Sequence, residues 1–122
     1  MTDFVENQTF ENKDFTNSGL ESKEYELCTF RSCNFSNTDL STIKFIECDF
    51  SDCNFSNANL DETSFQEVKF QNCKMLGLRF EICNDFNLSI NFQYCQLNHS
   101  SFFQMKLGRC SFSDCHLEEA DF

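Results

Sequence analysis

Nine Cys, two His and 20 Asp or Glu are the residues of this 122-residue chain with chemistry to offer. Dense cysteine suggests a disulfide framework or a metal site. Structural zinc sites take close pairs such as C-x2-C together with paired His. Here Cys28, Cys33, Cys48, Cys53, Cys73, Cys83, Cys95, Cys110 and Cys115 recur at spacings such as x4 and x14, and His99 and His116 stand alone. No metal site is expected. A nucleophilic thiol needs a base beside it. Only Cys115 and His116 are adjacent, and on a strand such neighbours point to opposite faces. With no Gly-rich phosphate loop and no paired-carboxylate motif, the chain is not expected to be an enzyme, to hold a cofactor or to form a cleft. The start, MTDFVENQTF, lacks the basic segment and apolar run of a signal peptide, and no stretch reaches membrane-spanning length. The expected setting is the cytoplasm, with the thiols reduced.

The acids outnumber the nine Lys and Arg and leave a net charge of −11. Such a chain repels phosphates and anionic lipid, which excludes nucleic acid and membrane as partners. A basic protein surface, such as one that normally holds nucleic acid, is the expected partner. The length suits one domain, and 17 Phe with no Trp and no Pro mean that its core is built from phenylalanine.

Positioning of all these residues follows from a period of five. Phe10, Phe15, Leu20, Tyr25, Phe30, Phe35, Leu40, Phe45, Phe50, Phe55, Leu60, Phe65, Phe70, Met75 and Phe80 form one uninterrupted column of large apolar centres. The column resumes two residues out of step at Phe92, Leu97, Phe102, Leu107, Phe112, Leu117 and Phe122. Fourteen of the 17 Phe are centres; Phe4, Phe86 and Phe103 are not. Two residues before each centre the side chain is mostly small, and all nine Cys fall there. The first coil departs from this with Asp3, Gln8, Lys13, Ser18 and Lys23, as an end cap would. A period of five fits neither a helix nor a flat strand and is a solenoid signal.

The stretches CNFSN (33–37), CDFSD (48–52), CNFSN (53–57), ANLDE (58–62), CSFSD (110–114) and ADF (120–122) resemble the pentapeptide-repeat family over essentially the whole chain. The resemblance implies an all-β, right-handed quadrilateral β-helix: each pentapeptide makes one side, four make a coil, and about six coils make a single domain over 1–122. Residues 20 apart then stack. That puts Cys33, Cys53, Cys73, Cys95 and Cys115 in one ladder above Lys13, and Phe10, Phe30, Phe50, Phe70, Phe92 and Phe112 in another. The register break at about 81–91 puts Asp85 or Asn87 at a centre, so a bulge is expected, with Phe86 or Leu88 turned inward as substitute.

Outward positions give two expected acidic sides, Glu6, Glu26, Glu47 and Glu67 on one and Glu21, Asp61, Glu62 and Glu81 on the other. Six coils at ~4.8 Å make a rod of roughly 29 Å. DNA of that length carries roughly 17 charges, against which −11 is about two thirds. Within the family, quinolone-resistance (Qnr) proteins are similar acidic rods that imitate duplex DNA at type II topoisomerases. The resemblance therefore implies DNA gyrase or topoisomerase IV as partner. No individual residue role carries over, because this chain lacks the longer loops of those members. The alternative is a scaffold solenoid whose acids only keep a Phe-rich rod in solution. The last coil, Cys115 to Phe122, offers an open edge for pairing two copies. A chain stopping half-way through a repeat is also what a piece of a longer solenoid would show.

Overall fold

The computed structural model describes residues 4–122, so the capping role expected of Asp3 lies outside the described residues. In chain order the strands are β1 (Phe4–Glu6), β2 (Thr9–Glu11), β3 (Glu24–Glu26), β4 (Thr29–Arg31), β5 (Lys44–Ile46), β6 (Asp49–Ser51), β7 (Ser64–Gln66), β8 (Val68–Gln71), β9 (Ile90–Gln93) and β10 (Cys110–Ser113). All pairing is parallel. One sheet runs β1-β3-β5-β7 and the other β2-β4-β6-β8-β9-β10. Strands pair with those a coil later at an offset of 20 residues, as in Phe10↔Phe30 and Tyr25↔Phe45, except β8 with β9. The chain is thus a β-solenoid of about six turns.

Side 1 of each coil carries the centres Val5, Tyr25, Phe45 and Phe65, and side 2 carries Phe10 to Phe112. These two form the sheets. Side 3 (Phe15, Phe35, Phe55) and side 4 (Leu20, Leu40, Leu60) are held by isolated bridges such as Asn34↔Asn54 and Asp39↔Asn59. On these two sides the residue before the centre is often Asn or Asp. Its side-chain oxygen accepts the N–H two residues on, as in Ser36→Asn34 (3.0 Å), Ser41→Asp39 (3.0 Å) and Ser56→Asn54 (3.0 Å), which curls the side into an Asx turn.

Two residues after almost every centre the chain turns a corner with positive φ, from Asn7 (57°) to Glu119 (57°). That conformation costs an L-residue roughly 1–2 kcal/mol. Asn tolerates it best, and Asn7, Asn12, Asn37, Asn57 and Asn72 are corners. Most corner N–H groups are also used: they donate to a carbonyl of the next coil, as in Asn12→Arg31 (2.9 Å) and Glu47→Gln66 (2.8 Å).

The corners leave the centres pointing inward, where the rings stack between coils. Phe10, Phe30, Phe50 and Phe70 lie 4.8, 4.8 and 5.0 Å apart, and Phe35 and Phe55 4.7 Å apart. Within a coil, rings of adjoining sides meet edge to face, as Phe50 meets Phe55 at 5.1 Å. Both arrangements suit the ring quadrupole. Gln8, Lys13, Ser18 and Lys23 of the first coil are exposed, as a polar cap requires.

Phe55 is fully buried between Phe35 and Met75, whereas Phe103 is 49% exposed. Phe55→Ala should therefore cost about 3–5 kcal/mol through lost burial and a cavity, and Phe103→Ala well under 1 kcal/mol. Chemical denaturation of the two variants checks this; similar losses would contradict the five-residue register.

Candidate functional site

The thiols come first because they are the most reactive groups in the chain, and the fold has given them structural work. Cys53 Sγ donates to the carbonyls of Phe30 (3.4 Å) and Ser51 (3.3 Å); Cys73 does the same to Phe50 and Gln71 (3.5 Å each). Cys28, Cys33, Cys48, Cys95 and Cys115 repeat the pattern. Thr63 Oγ1 donates to Leu40 O at 2.7 Å and Ser100 Oγ to Met75 O at 2.9 Å from the same column. The column thus selects small side chains with one donor, each tying a centre carbonyl to the coil after it. Seven Cys are buried, and Cys110 and Cys115 half-buried. Burial pushes the Cys48 thiol up to about 12 and raises Cys83, where the Glu81 and Glu62 charges add to it. Cys73 is held protonated by hydrogen bonds with Cys53 and Cys95 and by burial. No cluster of metal-ligating residues occurs among the described residues. His99 pairs with Glu119 at 3.1 Å.

The acidic columns differ from the sequence expectation. Glu6 and Glu26 are register partners, but they continue into Ile46 and Gln66. Glu47 and Glu67 occupy the corner column instead, with Asn7 and Leu27. The reason is spacing: Glu6 and Glu26 follow their centres by one residue, Glu47 and Glu67 by two. Side 1 is moreover mixed, because Lys23, Lys44, Lys106 and Arg109 share it; Lys44 is the register partner of Glu24, and Arg109 lies 4.0 Å from Glu67. Side 4 is the acidic one, carrying Glu21, Asp39, Asp61, Glu62, Glu81 and Asp121 against Arg79 alone. Glu21, Asp61 and Glu62 are exposed there. Glu81 is not: only 23% of its side chain is accessible, with Oε2 accepting from Ser101 Oγ (3.0 Å) near Arg79 (3.6 Å). At the last coil, Cys115 is half-buried and Phe122, 57% exposed, stacks on Phe102 at 5.1 Å.

At the break the structure chooses between the two inward candidates. Leu88 is buried, at 8% exposure, and Phe86 is 67% exposed. Asn84 decides this, because its Oδ1 captures the Phe86 N–H at 2.9 Å and holds Phe86 in an outward turn. Across the insertion the pairing offset becomes 22, as in Phe70↔Phe92, and beyond it returns to 20, as in Phe92↔Phe112. Side 2 absorbs the change, but the sheet of side 1 ends at β7. Side 1 of the next coil, residues 83–88, keeps only the bridge Ser64↔Asn84 to β7, and side 1 of the coil after it, residues 105–109, forms no strand. The gap between the two is a hollow of about 630 Å³ lined by Glu81, Cys83, Asp85, Leu88, Phe103, Gln104, Met105, Lys106 and Arg109 among others. A filled rod was expected to have no cleft; the two extra residues open one by removing a strand from one side. The missing centre at 85–87 was the signal in the sequence.

These features define a parallel solenoid of five-residue sides with a polar surface and a hydrogen-bonded interior. A family model described as a pentapeptide repeat region matches residues 23–90 and 43–122, and the chain belongs to the pentapeptide repeat family. Among solved structures, full-length QnrB1, a plasmid-mediated fluoroquinolone resistance protein, is similar in fold: 21% identity, TM-score 0.57, covering 96% of this chain. A pentapeptide repeat protein of the Arabidopsis thaliana thylakoid lumen matches at 22% identity and TM-score 0.47, over 94% of this chain. The chain spans 59% of the first and 65% of the second. No curated protein matches it by sequence. No helix of the described residues is long and apolar enough to cross a membrane.

Two outcomes are expected of the thiols. In the native protein a thiol reagent should label at most Cys110 and Cys115 quickly, and all nine after denaturant. Stability should hold up to about pH 8 and fall between about pH 9 and 12, because unfolded thiols ionise from about 8.5 while Cys33, Cys48, Cys83, Cys110 and Cys115 keep their protons to higher pH in the folded chain. Denaturation midpoints across that range check the second, and a flat profile would contradict it.

Proposed function

We propose that this chain is a non-enzymatic cytoplasmic rod that binds a DNA-handling protein, foremost a type II topoisomerase such as DNA gyrase, by presenting a duplex-like row of negative charge. The observation that carries this reading is side 4, where Glu21, Asp61 and Glu62 stand exposed on a backbone with a regular rise between coils. A net charge of −11 over six coils is about two thirds of that on DNA of the same length. The fold shared with QnrB1, a fluoroquinolone resistance protein, supports the same direction. A second reading, a protein-interaction scaffold without a topoisomerase partner, is favoured by side 1, whose lysines and arginine interrupt its acids.

A supercoiling assay with purified gyrase, with and without a fluoroquinolone, tests the first reading. The combined variant Glu21→Gln, Asp61→Asn and Glu62→Gln should lose most of the effect, whereas Glu6→Gln with Glu26→Gln should lose little. Binding should weaken steeply with salt, since exposed charges are screened over about 10 Å at 0.1 M. A rod that leaves gyrase untouched at low salt would replace this reading with the scaffold.

A further inference from the structure

The hollow at the register break is not explained by an acidic rod alone. Its floor is the buried part of the break: Leu88 and Cys83 lie there, with Glu81 beside them. One carboxylate oxygen of Glu81, Oε2, has Ser101 and Arg79 as partners. The other, Oε1, is shielded from solvent and has no hydrogen-bond partner. A buried acceptor without a donor costs about 1–3 kcal/mol, and more for a charged group. Glu81 lines the hollow, and its terminal carboxylate torsion is broad, so Oε1 can be met by a donor that enters there. The walls, Met105 and Phe103, are apolar, and Phe86 stands in solvent on the neighbouring loop. Three cations stand nearby: Arg79 Nε is 3.6 Å from Glu81 Oε2, Arg109 Nη2 is 4.0 Å from Glu67 Oε1, and Lys106 lines the hollow.

We propose that this hollow receives one basic side chain, an arginine or a lysine, from the protein partner, a proposal that rests on the reading of the rod as a binder of a basic surface. The entering cation donates to Glu81 Oε1 and faces Asp85, while its alkyl stem lies against Met105 and the ring of Phe103. An aromatic face and a carboxylate together hold a guanidinium well. At about 630 Å³ the hollow has room for the turn that carries the side chain as well. An acidic row alone gives a sliding, salt-sensitive attraction; one anchored side chain gives that attraction a fixed register along the rod.

The test reads the site without any topoisomerase. The full chain, labelled with ¹⁵N, is titrated with acetyl-arginine methylamide, and with the norleucine and glutamate analogues as apolar and anionic controls. The arginine probe should move amides of residues 81–88 and 103–109 and saturate with a Kd of order 1 mM, about 4 kcal/mol. Neither control should do so. Glu81→Gln, which keeps the shape and the Ser101 contact, should weaken the arginine probe about tenfold, the difference between a charged and a neutral acceptor. Shifts spread along Glu21, Asp61 and Glu62, preference for the glutamate probe, or an unchanged affinity in Glu81→Gln would overturn the proposal. Because gyrase is absent, failure here leaves the supercoiling result standing, and failure there leaves the hollow's preference intact.

Discussion

The spacing of hydrogen-bonded parallel coils is the constraint on which everything else depends. Parallel strands lie about 4.8 Å apart, and stacked aromatic rings fit that separation. In this chain the backbone and the rings adopt the same repeat: Phe30 and Phe50 sit 4.8 Å apart while their strands are in register. A centre residue therefore satisfies burial and the hydrogen-bond ladder together. The side 1 rings sit wider, with Phe45 and Phe65 5.7 Å apart, and across the insertion Phe70 and Phe92 are 5.6 Å apart. Side 2 keeps its strand pairing there, while side 1 keeps only the bridge Ser64↔Asn84.

The same constraint disarms the chemistry that the composition advertises. A coil closes only if each corner turns sharply and the residue before the next centre is small. Cysteine satisfies the second condition and adds a weak donor, which is why nine of them are compatible with a rod that has no metal cluster among its described residues. The sulfurs point at carbonyls, and burial makes thiolate formation harder. Reactivity is thereby confined to the surface and to the one place where the repeat fails.

Function on such a scaffold is a matter of which columns carry charge. A one-residue difference after the centre separates the register column of Glu6 and Glu26 from the corner column of Glu47 and Glu67. Small local choices therefore redistribute charge over whole sides of the rod. Side 1 pairs or interleaves its acids with cations, while side 4 keeps its acids nearly unopposed, and the hollow lies between those two sides at residues 81–88 and 103–109.

Counting in fives is enough to find the solenoid, the centre and thiol columns and the position of the break, and the family resemblance adds four sides to a coil and hence the stacked ladders; none of this needs a contact between distant residues. The sequence left undecided whether Phe86 or Leu88 fills the core, since both are apolar and one position apart from an ambiguous centre; a hydrogen bond from the Phe86 N–H to Asn84 settled it. The placement of Glu81 was also beyond reach of the repeat. Its position after Phe80 reads as outward, yet a 3₁₀ turn at Phe80–Ile82 and Ser101 in the next coil draw its carboxylate in. The hollow belongs to tertiary structure alone, because it exists only where two coils fail to pair, and pairing is a property of both coils at once.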